Sequence, residues 1–489
     1  MPRSAAAFQR IFALAFVAAL GLLLATPRQA LAHLHLRHSS PAAKAVLDTV
    51  PRELRLVFTE APQLAVSSVR LLAPDGSEVE LGKAFIDPDS ATALVAGIAA
   101  TRLSAGSYTV VWRTASSDGH PMEGRFSFTI AEGAVGLAAA PLAGAGADES
   151  TLASPESAAV SAPASAGAAS AATALPTELD IESPVYVAIR WLGYAALFGL
   201  IGAVVFVLVV APRVPTIYPD VAHVAAHVAV VASLVLIVAW IARLVAQSYA
   251  LGHVGIGAIL GGTSWGQAWI IGAAASLVAL GSALIASRSS SRAGWLVAAL
   301  AALAATVALP LSGHAVATPH LSTLAVAADA LHVIGAGGWL GTLLVTVVAG
   351  LPVTLRGAPG ARGREASALI SAFSPVALSC AGLLVATGVV AATLHLGSLD
   401  ALWGSRYGQV LLIKLAVIAV LLVVAFINWR ILRPALGTDK ATRRIRGSAV
   451  AELGLAVIVL VVTAVLVATP PPAESATDTA RVNPFSAVR

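Results

Sequence analysis

The sequence predicts an all-β sandwich or barrel, followed by an all-α polytopic membrane bundle of about eight helices. Three observations carry this. Short runs that alternate apolar and polar residues, bounded by turn residues, fill the stretch from 53 to 130. A stretch of Ala, Ser, Gly and Pro follows, with hardly an aromatic. Long apolar segments then continue to residue 469, with arginines gathered in alternate loops. The composition fits: 58% of the 489 residues are hydrophobic and only 11% are charged, far from a soluble average.

The first 32 residues read as an export signal. Arg3 and Arg10 form a short basic start, Ile11 to Ala25 is uncharged and apolar, and Thr26-Pro27-Arg28-Gln29 breaks the run before Ala30-Leu31-Ala32. That order matches a cleavable secretory leader, although an uncleaved anchor would carry the same pattern. Cleavage after Ala32 makes His33 the amino terminus.

Residues 33–132 read as the β domain. "ELRLVFTEAP" (53–62) alternates and then turns at a proline. "VSSVRLLAPDGSEVEL" (66–81) reads as two strands around Pro74-Asp75-Gly76. "GSYTVVWRTAS" (106–116) and "GRFSFTI" (124–130) alternate again. The inward set comprises Leu56, Phe58, Val69, Leu71, Tyr108, Val110, Trp112, Phe126 and Phe128. Residues 133–182 cannot bury a core and read as a flexible linker, so the β domain is expected to be leashed rather than packed in place.

Residues 183–470 read as membrane, with a tail at 471–489. Segments of spanning length lie at roughly 185–211, 220–246, 267–286, 294–311, 322–351, 367–393, 408–429 and 448–468. Arg213, then Arg288 and Arg292, then Arg356, Arg362 and Arg364 lie in the first, third and fifth loops. Arg430 to Arg446 surround the seventh. The second, fourth and sixth loops are nearly free of bases, Arg406 excepted. The positive-inside rule makes the odd loops cytoplasmic and places both ends of the mature chain outside. The net charge of +5 thus reflects membrane orientation rather than nucleic-acid binding. Cys380 is the lone cysteine, in an apolar run, so no disulfide framework exists.

With orientation fixed, the histidines sort themselves. His33, His35, His38 and His120 belong to the β domain. His253, His314, His320 and His395 fall in outer loops or at outer helix ends. His332 lies inside the fifth segment, three residues after Asp329, so both project from one helix face. Such a pair binds a metal or ties helices together. His223 and His227 sit at helical spacing near the inner end of the second segment, as an inner exit site or as interfacial residues. Arg190, Arg243, Lys414 and Glu452 read as helix-end anchors or interhelical partners. A loop histidine alone is an ordinary polar residue; a one-sided collection points to transition-metal chemistry.

"SSDGHPMEGRF" (116–126) places Asp118 and His120 one residue apart in a loop between strands. A terminal amine and imidazole from His33, the His120 imidazole and the Asp118 carboxylate form a nitrogen-rich donor set. That suits tetragonal Cu(II) and also admits Zn(II). A competing geometry uses the amine, two backbone amides and the His35 imidazole, which requires amide deprotonation. Met1 leaves with the leader, and Met122 cannot build a thioether Cu(I) cage alone.

"HLHLRHSSPA" (33–42), "LRLVFTEAP" (54–62) and "TASSDGHPMEGRFSFTI" (114–130) resemble the periplasmic copper-binding CopC family. "SGHA" (312–315), "DALHVIGAGGWLGTL" (329–343), "FSPVALSCAGLLVATG" (373–388), "YGQVLLIKL" (407–415) and "ATPPP" (468–472) resemble the CopD membrane family. The resemblance implies a natural fusion of the two. It implies a Greek-key sandwich or barrel that holds Cu(II) through His33, Asp118 and His120, without the methionine-rich Cu(I) site of some members. It also implies copper handling at a bacterial inner membrane, with β domain and C-terminus on the periplasmic side, and a role other than enzyme.

The expected function is capture of Cu(II) and its import or transfer through a path of His314, His320, Asp329 and His332. Copper ions, the lipid bilayer and a periplasmic copper chaperone or oxidase are the expected partners, and nucleic acid is not. His35, His253, His395, His223 and His227 are accessory candidates. Two rivals stand beside it: a redox protein with b-type haem between His332 and His227, and an oxidative enzyme built on a terminal-histidine copper brace. No P-loop appears in the loops, so transport is expected to be passive or ion-coupled.

Overall fold

A computed structural model describes residues 34–99, 103–135, 183–289, 291–313, 315–316, 321–358, 361–396, 398–432 and 439–469. The leader, His33, the linker, His314, His320 and the tail fall outside the described residues.

Among the described residues, the β domain is a two-sheet sandwich of nine strands. These are β1 (Leu36–Ser40), β2 (Val46–Thr49), β3 (Glu53–Phe58), β4 (Ser68–Leu72), β5 (Glu78–Val79), β6 (Phe85–Asp87), β7 (Ser90–Gly97), β8 (Gly106–Ala115) and β9 (Pro121–Val135). One sheet runs β1-β3-β7-β6 and the other β2-β9-β8-β4-β5. Alternation does its expected work in β3, where Leu54, Leu56 and Phe58 point inward, and in β8, where Tyr108, Val110 and Trp112 do. Phe58 meets Trp112 edge to face, with centroids 5.2 Å apart, and Tyr108 stacks on Phe128 at 5.7 Å. Of the inward set read from the sequence, Val69 and Phe126 are only partly buried; the rest are buried.

Four strands escaped the pattern. β1, β2 and β6 are short. In β7, Ala93, Leu94, Val95 and Ala96 are all buried. A strand covered on both faces shows no alternation, so the period-2 signal vanishes where the sheet is most deeply buried.

Among the described residues, eight helices are long and apolar enough to cross a membrane. They are α1 (Pro184–Arg213), α2 (Pro215–Ala250), α3 (Ser264–Ser289), α4 (Arg292–Leu311), α5 (Ser322–Arg356), α6 (Arg362–Leu396), α7 (Arg406–Ile431) and α8 (Arg444–Ala468). Successive helices pack as neighbours through α1–α2–α3–α4, α5 on α6 and α7 on α8, and α8 returns to α1. In α2 a buried stripe of Ala225, Ala229, Ala232, Leu236 and Ala239 opposes an exposed face of Val231, Leu234, Val238, Ile241 and Val245. Small residues inside and branched ones outside are the pattern of a helix whose solvent is lipid. The stripe continues through Arg243 and Gln247, both buried, which turns these two polar side chains inward at the helix end.

α1 and α5 cross at glycine. A Cβ on Gly202 would lie 2.0 Å from the Gly341 carbonyl carbon, so the backbones touch there. Around the crossing, α5 widens into π-helical turns at Gly337–Gly341 and Thr346–Gly350.

The leashed arrangement expected for the β domain is corrected by the structure: the sandwich is seated on the bundle. Val66 and Ala115 share one buried apolar cluster with Leu244, Leu251, Ile259 and Trp265. The seat lies between α2 and α3, a connection almost free of bases. The end of the bundle that carries the sandwich is therefore the base-poor end.

Gly202→Val is expected to force α1 and α5 apart and lower the unfolding temperature of the detergent-solubilised chain by several degrees, for an overpacking cost of about 1–3 kcal/mol. Differential scanning fluorimetry checks it.

Candidate metal centre

The turn between β8 and β9 holds Asp118 and His120. It is a tight loop: the Ser116 N–H donates to the His120 carbonyl at 3.0 Å, and the Gly119 N–H donates to the Ser116 carbonyl at 3.0 Å. Gly119 adopts φ +88°, a conformation glycine takes at no steric cost. Asp118 has a fully buried side chain, and its Oδ2 lies 2.8 Å from His120 Nδ1. Its Oδ1 accepts from the Ser116 hydroxyl and from the His120 backbone N–H. The carboxylate thus fixes the ring: Nδ1 faces Asp118, and Nε2 is the nitrogen left to reach a metal. The His120 side chain keeps 20% exposure, so the open edge meets solvent.

The start of the described chain runs beside this turn. The His35 N–H donates to Thr59 Oγ1 at 2.8 Å, and the Thr59 N–H donates to the His35 carbonyl at 2.9 Å. Next to Thr59, Glu60 accepts from Ser117 Oγ at 3.0 Å. Leu34 is fully buried among Leu56, Phe58, Leu94 and Trp112. The amide of His35, which the chelate of amine and two amides would have to deprotonate, is already engaged. Among the described residues no three His, Cys, Asp or Glu gather as a metal set. Asp118 and His120 supply two donors, and His33, outside the described residues, is the one the sequence adds. Met122 packs partly buried against the Trp112 cluster, which occupies it in the core.

The same turn is the part of the β domain that touches the helices. Gln247 Nε2 donates to the Gly119 carbonyl at 2.5 Å, and Ser264 Oγ donates to the Ser117 carbonyl at 2.7 Å. The Ser264 N–H donates to Gln63 Oε1 at 3.1 Å. A Cβ on Gly119 would come within 2.7 Å of Trp265 Cδ1. Both neighbours of Asp118 are therefore held by donors from the bundle. Sequence reading missed Gln247, Ser264 and Trp265. The traceable signal was in α2, where Gln247 follows Arg243 by one helical turn on the buried stripe.

Deeper in the bundle, His332 Nδ1 lies 2.9 Å from Thr387 Oγ1 on α6. Asp329 lies within electrostatic reach of Lys414 on α7, and Lys414 of His332. His332 thus lies against α6, and Lys414 on α7 is within electrostatic reach of both members of the i, i+3 pair. Other candidates lie elsewhere. His223 and His227 are exposed on α2, with rings 4.5 Å apart and His227 Nδ1 against the His223 carbonyl. His227 and His332 face different partners, which gives the haem reading no axial pair. His253 is exposed at the end of α2 beside Tyr249, and His395 lies 6.2 Å from Tyr407. His38 is exposed on β1. Glu452 is buried on α8 and accepts from Asn428.

Fold and site together define a multi-pass membrane protein with a β-sandwich module that presents an imidazole–carboxylate turn to its own helix bundle. Residues 36–131 match the CopC domain family, 179–322 the copper resistance protein D-like N-terminal domain, and 367–466 copper resistance protein D. The chain belongs to the CopC–CopD family of copper resistance and transport proteins. It is 23% identical over 476 residues to the copper transport protein CutJ of Bacillus subtilis strain 168, covering 93% of this chain and 77% of that one. It is 31% identical over 99 residues to protein YobA of Escherichia coli K12, covering 20% of this chain and 79% of that one. The crystal structure of CopC from Methylosinus trichosporium OB3b is similar to 20% of this chain and covers 93% of its own, at 34% identity and a TM-score of 0.19.

Trp265→Ala is expected to loosen the seat. Hydrogen exchange of the amides of 116–120 in the full chain should speed up markedly, while that of β3 and β7 stays unchanged.

Proposed function

We propose that the β domain captures Cu(II) on the outer side of a bacterial inner membrane and delivers it directly to the helices on which it sits. The observation that carries this reading is that the proposed ligand turn, Ser116 to His120, is itself part of the surface on which the domain docks. In this reading His33 supplies its terminal amine and imidazole, His120 its Nε2, and Asp118 both orients His120 and offers an oxygen to the metal. The engaged His35 amide supports this folded site over the chelate of amine and two amides. The occupied Met122 supports a divalent-only module.

Copper is the cargo. From the turn it would pass toward His314 and His320 and then to Asp329 and His332, where a carboxylate and an imidazole face the interior rather than lipid. A domain that is both linked and seated keeps donor next to acceptor, so transfer does not wait on diffusion. The sandwich sits at the base-poor end, which supports placing it and the C-terminus outside by the positive-inside rule. A periplasmic copper chaperone or an oxidase fits as an upstream or downstream partner of the same chemistry.

Loss of the terminal ligand is tested in the isolated domain, which closes its own core clusters. His33→Ala and His120→Ala are each expected to weaken Cu(II) binding at least tenfold to a hundredfold, the range seen when even outer-shell partners are removed. Asp118→Asn should fall in about that range. Competition titration against a Cu(II) chelator reads all three, and unchanged affinity in His33→Ala contradicts the amino-terminal site. Asp329→Ala and His332→Ala are expected to slow copper movement in proteoliposomes without changing the affinity of the domain. Cells carrying the chain are expected to accumulate more copper than cells lacking it.

A further inference from the structure

Among the described residues, two arginines at the β-domain end of the bundle have no carboxylate within 4 Å. Arg243 is 8% exposed. Its guanidinium carbon lies 4.9 Å from the Trp240 ring and 5.6 Å from the Trp265 ring. Nη2 donates to the Ser312 carbonyl at 3.3 Å and to its hydroxyl at 3.0 Å. Nε and Nη1 are buried with no hydrogen-bond partner. Arg190 on α1 stands 4.6 Å over the Tyr186 ring and donates from Nη1 to the Val467 carbonyl at 3.1 Å. The buried Tyr186 lies against both guanidiniums. Among the described residues no carboxylate lies within 4 Å of either arginine. Asp329 already has Lys414 within electrostatic reach. The indole N–H of Trp240, the ring that carries Arg243, is another buried donor without an acceptor.

A buried charge without a partner is strongly unfavourable, and buried polar groups are as a rule hydrogen-bonded. What is missing here is an acceptor of negative charge. Indoles near the guanidinium use its faces through cation–π contact. Its unused donors are Nε–H and Nη1–H, on the two edges that flank the Ser312-bound Nη2, and each can give a charge-assisted hydrogen bond to an anion. We propose that Arg243, with Arg190 across Tyr186, forms a binding site for a small anion, a halide or a formate-sized carboxylate, directly beneath the metal-bearing turn. Gln247, which holds Gly119, stands one helical turn from Arg243, so the anion sits where a cation leaving the turn would otherwise meet two fixed positive charges. The site does not rest on the copper reading, since it is argued from Arg243 Nε and Nη1, which are buried with no hydrogen-bond partner.

The test uses the full chain in nanodiscs, in zwitterionic buffer free of halide, titrated with sodium iodide, a quencher of indole emission. The site predicts a saturable loss of tryptophan fluorescence above the linear collisional background, reversed by sodium formate. Arg243→Gln should raise the midpoint about tenfold or more, as expected on removal of charge-assisted hydrogen bonds. Arg190→Gln provides the same reading should the first variant fail to assemble. Strictly linear quenching in the wild-type chain overturns the proposal, as does saturable quenching that formate does not displace or that neither variant weakens. Cu(II) affinity of the isolated β domain is measured in parallel; its loss in His33→Ala stands or fails independently of the iodide result.

Discussion

One β turn, packed on an indole, organises the outer end of this molecule. Gly119 turns the chain back with a positive φ, and Trp265 occupies the space where a side chain at 119 would be. That contact fixes the loop that carries Asp118 and His120, and through Gln247 and Ser264 it fixes the sandwich on α2 and α3. The cost of ordering the loop is met by packing, so in the proposed reading it is not met again each time a metal binds.

The seat changes the meaning of the linker between the two domains. A flexible tether alone raises the local concentration of one partner at another, by an amount set by its length. Here the apolar cluster of Val66, Ala115, Leu251, Ile259 and Trp265 adds a defined orientation. Orientation matters because a metal ion moves between sites by ligand exchange, in which incoming donors must approach before outgoing ones depart. In the proposed reading, a turn held face-on to the helices satisfies that requirement geometrically.

Much of this was legible in the sequence because it is written in strong periodicities. Eight apolar segments and an asymmetric arginine distribution define a polytopic bundle, since a bilayer tolerates few alternatives. β3 and β8 show their alternation openly because each has one face on the core. β7 hides, because Ala93 to Ala96 are buried throughout, and small apolar residues carry no period. In the site, Asp118 and His120 stand out by residue type and spacing. Their bond to each other, and the hold of Ser116 on Asp118, depend on the closure of a turn that spacing alone does not specify. The seat was invisible for a different reason. Gln247, Ser264 and Trp265 are ordinary helix-end residues, and only tertiary structure brings them to Ser117 and Gly119. The low-complexity linker pointed toward independence of the domains, since linker composition reports on the chain between them and not on the surfaces they share.

The central claim is that the ligand turn rests on the helices in the native membrane. Disulfide trapping tests it most directly, with Ser117→Cys and Ser264→Cys introduced into a Cys380→Ser chain and mild oxidation applied to intact membranes. A rapid intramolecular cross-link that depends on both cysteines, with no dimer, is the result expected of a seated turn. Failure to cross-link within the chain, or cross-links only between chains, would contradict it.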